Sequence, residues 1–197
     1  MTNRQKQAME TKKLLEDTGR VMLREGLDKF RVEDLTKACG VSKGIFYHYF
    51  ENKDKFVFHL SMDAYLEMEK KLEEMKKQPI REQLQYYVIE HTKSMVDGFT
   101  KQYYLSVLSG EDVLSDGANK MDFDIKTIEH VLNAAVENGE ISPETPCAQL
   151  AKLIFVSLLG RSLYWLVQQD KCDPMQLAQE IFETFIMPSI EKYRIDR

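Results

Sequence analysis

Apolar residues recur at helical spacing along nearly the whole chain, and no stretch of any length alternates with the period of two expected of a strand. The pattern predicts a first helix over 3–25, with Leu14, Leu15, Thr18, Val21 and Met22 as its inner stripe and Gly26 as its end. Two short helices follow. Leu35 and Ala38 share one face of the first. Gly40 supplies the positive φ that stops it, Val41 follows as an apolar plug, and Ser42 is an N-cap for the second. On that second helix Phe46 and Phe50 lie four apart and face inward.

Asn52 opens a fourth helix over about 53–77, which Gln78-Pro79 stops. Its apolar pattern runs unbroken from the first part of the chain into the rest, so it predicts a lever rather than a linker. A helix over 81–97 ends at Gly98, a short aromatic-rich segment covers 99–108, and 109–117 reads as loop. A helix over 121–138 closes at Gly139, with Phe123, Ile125, Ile128, Val131, Leu132 and Ala135 as its buried set. Two last helices, about 146–169 and 174–186, each enter at a proline, and Pro188 is expected to interrupt the second. The fold class is therefore all-α, with a three-helix head over 1–52 and a helical body over 53–197.

The head carries the most specific pattern. With Phe46 and Phe50 inward, Lys43, Gly44, Tyr47 and His48 share the outer face of their helix. A cation, a glycine, a phenol and an imidazole suit a phosphate ridge and base edges better than a core, so the pair of short helices reads as a helix-turn-helix. The run Val41-Ser42-Lys43-Gly44-Ile45-Phe46-Tyr47-His48-Tyr49-Phe50, followed by Asn52-Lys53, resembles the DNA-binding signature of the tetracycline-repressor (TetR) family of bacterial regulators. The resemblance covers the first quarter of the chain. It implies a homodimer that binds a double-stranded DNA operator and is released by a small-molecule effector.

Three positions depart from that family's pattern. Arg31 stands where a threonine is common, Ile45 where a small or polar residue is usual, and Lys55 where an acid often follows Asn52-Lys53. Carried over residue by residue, the candidate DNA contacts are Lys43 and Lys53 on phosphates, with Arg31 and the Tyr49 hydroxyl as further phosphate contacts. Ser42 caps the recognition helix and Gly44 permits close approach. Ile45, Tyr47 and His48 are the candidates for base contact.

Charge sharpens this division. The chain has a net charge of −5, but residues 1–55 carry +3 and the remainder −8. A modestly basic head on an acidic body is the layout expected when only the head touches phosphate. Three cysteines without a Cys-x-x-Cys spacing point to reduced thiols in a cytoplasmic protein, and no signal-peptide or membrane-spanning run is legible. No phosphate-binding glycine loop, metal-ligand spacing or nucleophile motif is present, so neither an enzyme nor a cofactor or metal is expected.

The body supplies material for a ligand pocket. His91, Met95, Phe99, Tyr103, Tyr104, Phe123, Phe155, Tyr164 and Trp165 are more large, adaptable side chains than a compact bundle requires. Read by themselves most of them suit an ordinary core; the family resemblance implies a pocket among them, for a largely apolar or aromatic effector. The last two helices carry more apolar surface than one face needs. The family resemblance implies a two-fold interface there, with Leu158, Arg161, Ala178, Ile181, Phe182 and Phe185 as its candidates. The alternative to an effector-responsive regulator is a DNA-bound adaptor whose body binds a protein partner and no small molecule.

Overall fold

The computed structural model describes residues 2–23, 29–96, 114–168 and 171–195, and every regular element among them is helical. The head comprises α1 (Asn3–Leu23), α2 (Val32–Ala38) and α3 (Lys43–Tyr49). The connecting helix is α4 (Lys53–Glu74), and the body comprises α5 (Ile80–Val96), α6 (Leu114–Glu137), α7 (Cys147–Gln168), α8 (Pro174–Ile181) and α9 (Met187–Glu191). The expected stops at Gly26 and Gly98, the segment 99–108 and the first part of the expected loop lie outside the described residues.

The head's core gathers Leu15 and Leu23 of α1, Phe30, Val32, Leu35, Phe46 and Phe50 around Phe56 of α4. The Phe56 ring meets Phe50 at 4.7 Å, Phe46 at 5.3 Å and Phe30 at 5.8 Å between centroids. Val57 and Leu60 complete this core, so the head's packing runs past residue 52 into the first two turns of α4. Asn52 caps α4 by accepting from the Lys55 amide at 2.8 Å. The 22-residue helix then spans about 33 Å.

The α1 stripe differs from its expectation. Leu15, Gly19 and Leu23 are buried, whereas Leu14 and Val21 are exposed. The contact line with α4 runs along the i, i+4 row through Gly19, and a glycine contributes nothing to a hydrophobic pattern.

A larger core holds the body together, with Tyr65, Met68 and Leu72 of α4 joining α5, α6, α7 and α8. On α6 the fully buried line runs through Asp124, Ile128, Val131, Leu132 and Ala135, while Phe123 and Ile125 are half-buried. Tyr87 Oη donates to Asp124 Oδ1 at 2.9 Å, which compensates the carboxylate's burial. Residues 115–117, expected in a loop, lie in the first turn of α6. A polar first turn is good helix chemistry and reads like a loop in sequence. Gly139 ends α6 at φ 68°, where Gly139 and Glu140 amides bond back to Val136 and Ala135.

Pro188 does not break the last helix. Within a regular helix its missing N–H and its ring would conflict with the carbonyl four residues back. The chain instead widens into a π-turn over Phe182–Ile186, closed by Met187 N–H on Phe182 O, and α9 continues through the proline. The C-terminal stretch then folds back on the α6–α7 connection, where Ile195 N–H bonds Glu140 O and Ser142 N–H bonds Tyr193 O.

Candidate nucleic-acid interface

The α2–α3 turn is set by backbone chemistry. Gly40 sits at φ 66°, its amide bonds Lys37 O at 3.2 Å, and the Val41 amide bonds Thr36 O at 2.9 Å. These two bonds satisfy carbonyls that the end of α2 would otherwise orphan. Ser42 has the extended backbone of an N-cap, but its hydroxyl makes no capping bond. The Ser42 side chain is exposed beside the start of α3, where a hydroxyl can meet a phosphate.

Phe46, fully buried, fixes the rotation of α3. Lys43, Gly44, Ile45, Tyr47 and His48 are consequently all exposed, Tyr47 by 53% and Ile45 by 37%. Gly44 is not demanded by packing, because a Cβ there would meet only Ser42 Oγ, at an ordinary 3.7 Å.

The remaining head candidates are tied to the protein itself. Tyr49 Oη donates to Ala8 O of α1 at 3.0 Å. A phenol has one proton and a phosphate only accepts, so Tyr49 must give up that bond before it can hold a phosphate. Lys53 donates to Phe30 O at 3.0 Å with its ammonium 5.6 Å from the Phe30 ring centroid. An ammonium has three donors, so one carbonyl does not exhaust it. Arg31 stands at the N-cap of α2 and donates to Phe30 O at 3.2 Å. Lys43 pairs with Glu33. Glu33 was not among the candidates, since acids in the first turn of a helix are expected for the helix's own sake.

The body candidates separate. His91, Met95 and Trp165 lie along the seam of α5 and α7, where Met95 packs with Leu166 and Trp165. Arg161 is buried at this seam, donating to Thr92 Oγ1 and, at 3.1 Å, to His91 Nδ1. Arginine only donates, so Nδ1 accepts and the imidazole proton is on Nε2. Phe155 lies in the main core, Phe123 is half-buried near Tyr65, and Tyr164 points outward. Phe99, Tyr103 and Tyr104 are outside the described residues.

Of the interface candidates, Leu158, Arg161, Ala178 and Phe182 are buried within the single chain, Leu158, Ala178 and Phe182 in the body's main core and Arg161 against Thr92 and His91 of α5. Ile181 is half-buried and Phe185 exposed. The outward apolar face of α7 is instead Leu153, Val156, Tyr164 and Val167, with Gly160 among them. By length and composition α7 is apolar enough to cross a membrane, but its inner face is built into the body's core.

Residues 14–60 match the family model of the bacterial regulatory proteins of the tetR family. No curated protein matches the chain. Among solved structures it is similar to reduced NemR of E. coli, with 21% identity, a TM-score of 0.66, and coverage of 88% of this chain and 95% of that one. FadR from Bacillus subtilis in complex with stearoyl-CoA has 18% identity and a TM-score of 0.63 over 88% and 96%. Regulatory protein TetR from Rhodobacter sphaeroides has 19% identity and a TM-score of 0.62 over 87% and 96%. At these identities the likeness is one of fold.

Proposed function

We propose that this chain is a DNA-binding transcriptional regulator of the TetR family, whose family model matches residues 14–60, and that it acts as a cytoplasmic, homodimeric repressor that a small, largely apolar or aromatic effector releases from its operator. The observation that carries this reading is the outer face of α3. There Lys43, Gly44, Ile45, Tyr47 and His48 are exposed together on a helix whose rotation Phe46 fixes. Lys43, Lys53 and Arg31 serve phosphates, while Ile45, Tyr47 and His48 meet base edges in the major groove. The Tyr49 hydroxyl helps fix α3 against α1 rather than reaching DNA.

One head reads one half-site, and two heads need a dimer. The exposed stripe of α7 with Phe185 is the face we assign to it. The effector belongs along the α5–α7 seam, next to His91, Met95 and Trp165, and FadR from B. subtilis, in complex with stearoyl-CoA, is a precedent on this fold for a ligand with a long apolar chain. Because α4 packs in both cores, a shift at the seam moves the head.

Selection from a random duplex pool tests the proposal. The selected sites should be two-fold symmetric. If each head neutralises three or four phosphates, log K should fall against log[salt] with a slope of roughly −5 to −7. Lys53→Ala should weaken all sequences alike, and His48→Ala should change the base selected. A pool that yields no enriched site would overturn the reading.

A further inference from the structure

We infer that the Glu33 carboxylate holds, in the free protein, the anion position beside Lys43 that a DNA phosphate takes in the complex, and so restrains DNA binding without altering which bases are read. The inference rests on the DNA-binding role proposed above. Lys43 is the first residue of α3, Glu33 lies in the first turn of α2, and the Lys43 ammonium bonds Glu33 Oε1 across the turn between them. Both side chains are more than half exposed, at 53% for Lys43 and 56% for Glu33. The pair therefore sits on the surface that a duplex would approach, and it fills no place in the core.

The Lys43 hydrogen bond holds the Glu33 carboxyl below its ordinary value, with the charges of Lys43 and Arg31 adding to the effect. Glu33 is thus an anion throughout the neutral range. A carboxylate and a phosphate want the same ammonium protons. When a phosphate arrives, Glu33 must either yield Lys43 or remain as a like charge beside the incoming oxygens. Either way the cost is the same for every sequence. It lowers residence on cognate and non-cognate DNA alike and leaves base preference to Ile45, Tyr47 and His48.

The test uses the 197-residue chain and a random-sequence duplex, with Kd measured by fluorescence anisotropy as salt is raised. Glu33→Gln keeps the side chain's size and removes the charge. Recovering about one phosphate interaction per head steepens the slope by about 0.9 per head. The variant should bind about tenfold tighter at about 50 mM salt, and the gain should shrink to near nothing at about 200 mM. The site selected from a random pool should be unchanged. Asp34→Asn removes the same charge from the next residue and should give well under half of the gain.

Equal gains for the two variants would overturn the inference in favour of a general charge effect. Weaker binding by Glu33→Gln would overturn it too, by showing that Glu33 places Lys43 for DNA. Wild-type protein that binds no duplex even at the lowest salt would instead sink the DNA-binding reading beneath it.

Discussion

A Cβ built on Gly19 of α1 would lie 2.4 Å from Cζ of Phe56, the α4 side chain at the centre of the head's core. The helices α1 and α4 are therefore in contact at a point with no room for a methyl group. Two effects oppose each other in Gly19→Ala. Alanine gains up to about 1 kcal/mol of helix propensity, while overpacking a filled core costs about 1–3 kcal/mol. Phe56 is fully buried and surrounded by Phe30, Phe46 and Phe50, so its ring cannot swing away and overpacking should win. Gly19→Ala should lower the melting temperature of the head, and Phe56→Leu in the same chain should restore part of it. A more stable single variant would show that the helices separate freely.

The outer face of α7 gives the assembly prediction. Val156→Asp places a charge on an exposed apolar stripe, so the monomer's fold is spared while a dimer would have to bury that charge. Sedimentation should report a monomer with the helical spectrum intact. Phe182→Asp, by contrast, should unfold the body, since Phe182 is 1% exposed within the single chain. A Val156→Asp protein that stays dimeric places the interface elsewhere.

The head was more legible in the sequence than the body, for physical reasons visible at particular residues. Gly40, Asn52 and Phe46 act locally, through a positive φ, a cap and one buried face, and each does so in the structure. What escaped depends on partners distant in sequence. Gly19 faces inward only because Phe56 lies opposite it, and Asp124 occupies an apolar line because Tyr87 donates to it. Glu33 looks like an ordinary first-turn acid until Lys43 is seen across the turn. On α7 both faces are apolar, so periodicity alone did not separate the inward Leu158 from the outward Val156.

Arg161 should prove structural for the seam of α5 and α7. It is 3% exposed and donates to both Thr92 and His91. Arg161→Ala removes that cation and leaves two buried acceptors to repair, which should cost about 3 kcal/mol by urea denaturation. Thr92→Val combined with Arg161→Met should cost less than the sum of the two, because one interaction is lost twice in the sum. Strict additivity would mean that the two side chains do not interact in solution.

Cysteine chemistry should follow burial. Desolvation pushes the Cys147 thiol above its ordinary value, whereas Cys39 and Cys172 are half-exposed. An aromatic disulfide reagent at neutral pH should titrate two thiols quickly and the third only as the fold opens. A raised folded value means the contribution of Cys147 is fully present below the ordinary thiol value and is lost as pH rises through the folded one. Wild-type protein should therefore lose more stability than Cys147→Ala on going to strongly alkaline pH, and identical pH profiles would show that the thiol is solvated.

Gly44 should answer to alanine in the opposite sense to Gly19. A Cβ there meets nothing closer than Ser42 Oγ at 3.7 Å, and the backbone needs no positive φ at this position. The fold alone would accept alanine and gain up to about 1 kcal/mol of helix propensity. Keeping a glycine in the first turn of α3 makes physical sense if another backbone must come close to it, as a DNA sugar-phosphate chain does when a recognition helix enters the major groove. Gly44→Ala should therefore leave the melting temperature unchanged or raised while weakening binding to a selected duplex by about tenfold, a loss of about 1.4 kcal/mol. A stability gain with undiminished DNA affinity would mean that this face of α3 does not approach the duplex, and the assignment of its neighbours Lys43, Ile45, Tyr47 and His48 would have to be withdrawn with it.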